Sequence, residues 1–540
     1  MSIPKRIKGK ISRIRDNLSL HEFAGKIEKL SPLPDNTQPI VFFNASTRLE
    51  QLSLNAGFSL LISWSFRLDG IPVIYFACRS GMKRCVLGTD TKNPRNPPPC
   101  ANCISQSKTI YQESITNWFE YSQDEEFDSA IENLLLPGLS SFVFRGIPYG
   151  ELILPSIRWI LRRQNLTDDA DTRKIFREYL KSANSIAKSF QVLLEERNPR
   201  AIVVFNGQFF PEATIRYLAL KREIKVISHE VALQPFSAFF TDGEATAYPI
   251  HIPDDFELTV RQNKQLDSIL EKRFFGNFSM AGVRFWPEMK SFPSDFWEKA
   301  RSFEQIVSVF TNVIFDTSQV HANVTYPDMF AWLEDVVQLI KESPRTFFVI
   351  RAHPDENRSG KETRESVSEW IKERKVDQLP NIVFVEPNET FSSYELIEKS
   401  KFVMVYNSTI GLEASILGAA VLCAGKARFT QVESVFFPDS REKYLAKARE
   451  FLSAQSIRIP ELYKSNARKF LYFQLFLTSL PFDDFLEESE YWKGYVRLKE
   501  FLPSALLSAN SETMRIIKQG ILEGKPFLFQ PKGAENVDLL

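Results

Sequence analysis

No stretch of this chain holds the roughly eighteen uninterrupted apolar residues that a membrane-crossing helix requires, which excludes an α-helical span. Charge of one sign is also missing: 67 Lys and Arg stand against 67 Asp and Glu, for a formal net charge of zero. No chain-wide field recruits nucleic acid, so any anion site must be local. Cysteine and histidine are scarce at five each, which confines thiol, metal and imidazole chemistry to few positions. No internal repeat or low-complexity segment is present, which excludes a solenoid. What remains is ordinary for a globular protein, 44% hydrophobic and 25% charged over 540 residues. That length exceeds one hydrophobic core, so two or three domains are expected. Phenylalanine is frequent at 46 residues, and the pattern gives it no function.

The start, "MSIPKRIKGKISRIRDNL", carries basic residues without the apolar core segment of a secretory leader. The expectation is a cytoplasmic chain with reduced thiols. Ile3, Ile7, Ile11, Ile14 and Leu18 fall at helical spacing, with six basic residues from Lys5 to Arg15 and no acid among them. Residues 1–39 therefore read as a basic amphipathic segment. It either lies peripherally on the anionic inner face of the plasma membrane or packs on the protein as a basic helix or a frayed end.

From residue 40, buried strands and helices alternate. "PIVFFNA", "IPVIYFAC", "AIVVFNGQ" and "KVISHE" read as strands, with "RLEQLSLNAGFSLLISWSFRLDG" and "FPEATIRYLALKRE" as helices. The pattern loosens between about 258 and 300, around Pro287 and Pro293, and then resumes. "QIVSVFTNV", "RTFFVIRAHP", "NIVFVEP", "KFVMVYNS" and "AAVLCAG" are strands, with helices between them. Such alternation specifies parallel sheets covered on both faces. The expected fold is α/β: two doubly wound Rossmann-like domains, 40–290 and 300–440, facing a cleft, with a mainly helical tail over 441–540.

In doubly wound sheets, ligands gather at the carboxyl ends of strands. "FVIRAHPDE" places Arg351, His353 and Glu356 directly after an apolar strand. Arg351 and His353 suit a monophosphate or diphosphate, and Glu356 a ribose hydroxyl. The competing reading has Arg351 clasp Asp355 or Glu356. "KFVMVYNSTIGLEASILGAAVL" ends an apolar strand in Ser408 and Thr409 and continues as a helix. Backbone N–H groups and hydroxyls there suit an anion, although either residue can be a simple helix cap. Glu413, one turn in, would repel phosphate and so is assigned to sugar hydroxyls. "TNVIFDTS" adds Asn312 and Asp316 at a third strand end.

Taken together, "TNVIFD", "VIRAHPDE" and "YNSTIGLEASILGAAVLCAG" resemble the C-terminal donor-binding domain of GT-B glycosyltransferases, most nearly those of the capsule polysaccharide biosynthesis type. The His-Pro followed by a Ser/Thr pair is similar to the pattern of bacterial sialyltransferases and Kdo transferases. The resemblance is good over roughly 305–430 and only general before that. It implies that His353, Ser408 and Thr409 hold the nucleotide phosphate and that Arg351, Glu356 and Glu413 contact the donor. It also implies transfer of a sugar from a nucleotide-sugar donor to a surface polysaccharide or lipid-linked acceptor, with no metal required for the chemistry. No paired-acid motif stands at a strand end to bind one. Three other readings stay open: a non-hydrolysing nucleotide-sugar epimerase, a CDP-linked glycerophosphotransferase, and a non-catalytic scaffold of the same fold.

An inverting transferase also needs a general base on the acceptor side. "VISHEVALQP" offers His229 and Glu230 at a strand end, followed in rank by Asp242 of "FFTDGEA", with Glu244 and Asp69 further candidates. "FNGQFFPE" assigns Asn206, Gly207 and Glu212 to the acceptor cleft, Gly207 permitting close backbone approach. "CRSGMKRCVLGTDTKNPRNPPPCANC" gathers Cys78, Cys85, Cys100 and Cys103 into one segment. Cys100-x-x-Cys103 has metal-ligand spacing, and two upstream thiols complete a tetrahedral structural zinc site; free thiols or one disulfide are the alternatives. A redox centre is set aside because this Cys-x-x-Cys follows a proline loop and opens no evident helix.

Overall fold

The computed structural model describes residues 5–35, 37–43, 51–91, 93–112, 114–274, 279–280, 283–284, 289–358, 362–492 and 494–529. Ile3, Pro287 and the Asn44-Ala45 end of the first expected strand lie outside them. The described residues form two compact units. One comprises those up to Ile160, Thr167–Tyr248 and those from Leu475 onward; the other comprises Leu161–Leu166 and Pro249–Gln474.

The first unit is built on β1 (Ile40–Phe43), β2 (Val73–Cys78), β3 (Thr116–Phe119), β4 (Ala201–Phe205), β5 (Lys225–Val231) and β6 (Ser237–Thr241). Its second unit holds a short hairpin, β7 (Ser279–Met280) and β8 (Val283–Arg284). Its sheet is built from β9 (Gln305–Phe310), β10 (Thr346–Arg351), β11 (Ile382–Val385), β12 (Phe402–Val405) and β13 (Val421–Cys423). β14 (Leu480–Pro481) returns to the first sheet, whose order is β14-β6-β5-β4-β1-β2-β3. β1 to β5 are parallel, whereas β6 runs antiparallel to β5. The second sheet, β11-β10-β9-β12-β13, is wholly parallel. Every residue of β10 and β12 is buried, as the unbroken apolar runs require of a sheet covered on both faces. Each such aliphatic side chain contributes about 1.5–3 kcal/mol.

Helix α1 (Lys5–Leu30) buries Leu20, Phe23, Ala24 and Ile27 in the first unit, with Phe23 against Trp64. Its other apolar row points outward: Ile7, Ile11, Ile14 and Leu18 are 48%, 55%, 58% and 63% exposed. Helix α2 (Leu54–Leu68) begins at Ser53, whose Oγ accepts the Ala56 N–H at 3.2 Å. Asp69, at its C-terminal end, takes the Lys518 ammonium at 2.8 Å and is thereby a structural partner, not a base.

Residues 441–540, expected as a helical tail, are divided between the units. Helices Arg441–Ser453 and Glu461–Tyr472 belong to the second; β14 and helix Glu512–Glu523 belong to the first. Apolar residues on both pieces make this necessary, since Phe451, Phe470, Leu480 and Ile517 must each find a core. The loosened stretch after 258 contains a full helix, Val260–Phe274. Six residues from the N-terminal half, Leu161–Leu166, join the second unit because Glu365 fastens them. Its carboxylate accepts the backbone N–H groups of Gln164 and Asn165 at 2.9 Å each and the Asn165 side-chain amide at 2.7 Å.

Candidate functional site

In the second unit the chain runs outward from β9 through β10 to β11, then returns to place β12 on the other side of β9. The switch point therefore lies between β9 and β12, where the two following loops separate and leave a crevice. Asn312 follows β9, and Asn407, Ser408 and Thr409 follow β12. The loops are tied together: the Asn407 N–H donates to Asn312 Oδ1 at 3.2 Å, and Gln319 Nε2 donates to Asn407 Oδ1 at 3.0 Å. Asn407 and Gln319 escaped the sequence reading, although Asn407 stands inside the "YNST" stretch it singled out. Ser408 is buried and Thr409 exposed. Thr409 occupies the N-cap position of helix Ile410–Ile416 yet makes no side-chain capping bond, so its hydroxyl is not spent on the helix.

The neighbouring strand end supplies the charge. Arg351 closes β10 and is only 6% exposed. Its Nη2 donates weakly to the Glu389 carbonyl at 3.4 Å, while buried Nη1 has no hydrogen-bond partner. Among the described residues neither Asp355 nor Glu356 forms an ion pair with it; the Asp355 carboxylate instead faces Arg358, at 3.9 Å. Burial pushes the guanidinium down to about 10, with Glu389 acting in the other direction, so it stays charged at neutral pH. A buried cation without a carboxylate in ion-pair contact is costly unless something anionic meets it.

His353 lies two residues on in extended backbone, where i and i+2 project alike. Its Nδ1 accepts the Asp355 N–H at 3.2 Å, which leaves the proton of the neutral ring on Nε2. Burial lowers its pKa, opposed by Asp355 and Asp316 and aided by Arg351. Asp316 is exposed and accepts the Ser318 hydroxyl at 2.9 Å. Arg162, from the segment Glu365 fastens, lies over the Phe315 ring at 5.0 Å. Its distance in sequence hid it.

Two expected donor contacts face the wrong way. Glu356 is fully buried and accepts the Val367 N–H at 3.3 Å, and burial pushes its carboxyl up to about 8. It closes the start of helix Val367–Glu373. Glu413 pairs with Arg273 at 2.5 Å and accepts the Tyr394 hydroxyl, with its side chain 5% exposed. Both carboxylates turn inward because each finds a partner that only the fold brings near.

In the first unit the corresponding switch lies between β1 and β4. Asn206 and Gly207 follow β4 with φ of 65° and 79°. A Cβ on Gly207 would stand 3.2 Å from Ser228 Cβ. Asn206 Nδ2 donates to Glu230 Oε2 at 3.1 Å, so these two residues meet at adjacent strand ends. Gly207 also borders a cavity of about 400 Å³ with Gln208, Arg216, Tyr217, Lys221 and Glu244. Glu244 is held by Arg216 at 2.8 Å. Glu212 is buried and does not line that cavity, and burial raises its carboxyl to about 8.

His229 and Asp242 do not join Glu230. His229 is wholly buried among Phe58, Phe205 and Phe240, with Nε2 bonded to Ser59 Oγ at 2.9 Å. Burial lowers it to about 3, which makes it a neutral core imidazole rather than an accessible base. Successive strand residues face opposite sides, and Glu230 has the open one. Asp242 follows β6, whose antiparallel course pairs Thr241 with Ser228 and Ala238 with Val231. Asp242 thus lies toward Lys225, at the opposite edge.

The Cys-x-x-Cys pair does open a helix, α3 (Cys100–Ile110), contrary to expectation: Pro97 to Pro99 lead into its first turn. All four clustered cysteines line one cavity of about 20 Å³. Among the described residues no group of three or more His, Cys, Asp or Glu is already arranged as a metal-ligand set. No helix among them is long and apolar enough to cross a membrane.

The second unit is thus a doubly wound α/β unit with polar residues at its switch point and a buried cation beside it. Residues 296–432, which contain all three of its strand-end loops, match the family model described as "Capsule polysaccharide biosynthesis protein". No curated protein matches the chain. Among solved structures, the Thermosulfurimonas dismutans KpsC beta Kdo 2,4 transferase aligns over 52% of this chain and 80% of its own, at 13% identity and a TM-score of 0.34. The beta Kdo 2,7 transferase of the same protein aligns over 58% and 85%, at 13% and 0.31. UDP-GlcNAc 2-epimerase from Neisseria meningitidis aligns over 80% and 96%, at 12% and 0.23. At these TM-scores the likenesses say nothing about activity.

Proposed function

We propose that the chain is a glycosyltransferase of capsule polysaccharide synthesis that holds the phosphate of a nucleotide-sugar donor at the β9–β10–β12 strand ends. The observation that carries this reading is Arg351, a buried guanidinium with an unpartnered Nη1. An anionic phosphate supplies the charge and acceptor it lacks. Nε2–H of His353 and the hydroxyls of Ser408 and Thr409 add donors, with Asn312 and Asn407 fixing the loops. As the sugar leaves, these groups stabilise the negative charge that develops on the phosphate. The test is a thermal-shift panel of CMP, CDP, UDP, GDP and dTDP. A true donor nucleotide at a hundred times its dissociation constant stabilises the fold by about 2.7 kcal/mol. Silence from all five sinks the reading.

Glu230 is the general base in this scheme, taking the proton of the acceptor hydroxyl while the Asn206 amide orients its carboxylate. Positioned bases contribute about 10²- to 10⁴-fold. Glu230→Gln is therefore expected to lower kcat by that factor with nucleotide binding unchanged. Undiminished turnover would place the base elsewhere.

The acceptor is a surface glycan or lipid-linked glycan, and the outer face of α1 suits work beside an anionic bilayer. Its row of Ile7, Ile11, Ile14 and Leu18 is exposed, with Lys8, Lys10, Arg13 and Arg15 beside it. Apolar burial and cation attraction add in such a helix. Cosedimentation with vesicles containing phosphatidylglycerol should fall by at least tenfold in an Ile11→Ser/Ile14→Ser variant. Equal sedimentation of the variant and native chains would remove α1 from this role.

A further inference from the structure

We propose that Cys78, Cys85, Cys100 and Cys103 bind one zinc ion as four thiolates, a clasp joining the loop after β2 to the start of α3. The four residues come from two separated pairs, yet their side chains line the same small cavity. Chance clustering of four of the chain's five cysteines around one void is a weak explanation.

The backbone around the first pair aims a donor at each sulfur. The N–H of Gly81 donates to Cys78 Sγ at 3.2 Å, and the N–H of Gly88 donates to Cys85 Sγ at 3.2 Å. The same Cys-x-x-Gly turn thus occurs twice, each aiming a main-chain donor at the sulfur three residues earlier. Both turns need glycine. A Cβ on Gly81 would stand 2.7 Å from the Phe119 carbonyl oxygen, and one on Gly88 would stand 2.8 Å from Pro98 Cβ and 3.0 Å from Cys85 Sγ. Donors to sulfur of this kind tune and stabilise metal-bound thiolates.

The second pair sits on the opening turn of α3, with Cys100 first and Cys103 fourth. The N-cap residue, Pro99, makes no side-chain capping bond, so no side-chain oxygen of the cap residue competes for that end. The helix dipole there favours negative charge, which a four-thiolate zinc site carries.

Size and lining choose the ligand. A void of about 20 Å³ has room for one atom-sized guest. Apart from sulfur its walls are mainly apolar, with Met82, Leu87, Pro98 and Ile104, so a water would find few partners. Tetrahedral all-sulfur coordination is the preference of zinc. The thiols surround the cavity without forming a ready ligand set, so binding requires them to rotate inward to Zn–S distances of about 2.3 Å. Four thiol protons leave as the bonds form, and nothing is oxidised or reduced. With all four positions filled by sulfur, the ion has no open site and serves structure.

The test is metal analysis of the full-length chain, purified without chelator, incubated with zinc sulfate and desalted. One tightly held zinc per chain is expected, released when a mercurial reagent titrates four thiols. Cys85→Ser/Cys100→Ser should retain under a tenth of it. Should that variant not fold, cobalt substitution of the native chain decides, through sulfur-to-cobalt charge-transfer absorption and tetrahedral visible bands. A native chain without zinc, iron in its place, a Cys100–Cys103 disulfide by mass spectrometry, or full zinc in the double variant would each overturn the assignment.

Discussion

Arg351→Met sharply reduces stabilisation by the donor nucleotide and leaves the unliganded protein as stable as the native chain, or more so. The two halves of this result have one cause. The guanidinium is buried with an unpartnered Nη1, so the free protein bears the cost of holding it. Replacing a poorly compensated buried charge with an apolar group of similar size is often neutral or stabilising. A phosphate that meets this cation forms charge-assisted hydrogen bonds worth about 1.5–3 kcal/mol each. Loss of one therefore lowers affinity roughly 10- to 150-fold, and loss of two more. Calorimetry and melting curves on the same variant separate the readings. If the Met variant melts well below the native chain and binds nucleotide as before, Arg351 is a structural clasp and the donor site lies elsewhere.

Glu413→Gln gives the opposite pattern: a large loss of stability with nucleotide affinity per folded molecule unchanged. Glu413 neutralises Arg273, and the two side chains are 5% and 18% exposed. Removing one partner of a buried pair strands the other, at a cost of about 3–5 kcal/mol. For a unit of this size that corresponds to a fall in Tm of roughly 6–20 °C. Arg273→Met combined with Glu413→Gln should recover most of it, because no charge is then left unmatched. A Glu413→Gln chain that melts like the native one but fails to bind nucleotide would return Glu413 to the donor site.

These two residues also mark how far the site was legible. Both stand near quoted strand ends, Arg351 as the last residue of β10 and Glu413 within the first turns after β12. From sequence both read as donor contacts. Arg273, which captures Glu413, lies 140 positions earlier in a stretch whose pattern looked irregular. Glu356 was misread for the same reason, its partner being the backbone of Val367. His229 and Glu230 are adjacent, and β5 is buried at most positions, so hydropathy gave no sign of which face was open. Asp242 depended on strand direction, which no local pattern encodes.

The sequence by itself determined most of the strands, the parallel pairing at the centre of both sheets, and the loops that carry the candidate anion-binding residues, but not β3, β6 or β14. Those features follow from short-range causes: unbroken apolar runs need cover on both faces, and alternation with helices enforces parallel order. The strand-end positions of Arg351, His353, Ser408 and Thr409 came with them. Tertiary structure alone decided which polar groups remain unspent. A carboxylate buried beside a distant arginine or a helix start is already satisfied, whereas a buried guanidinium with an unpartnered Nη1 is not. That distinction depends on contacts between residues far apart in the chain, and burial raises the energetic stakes of each one.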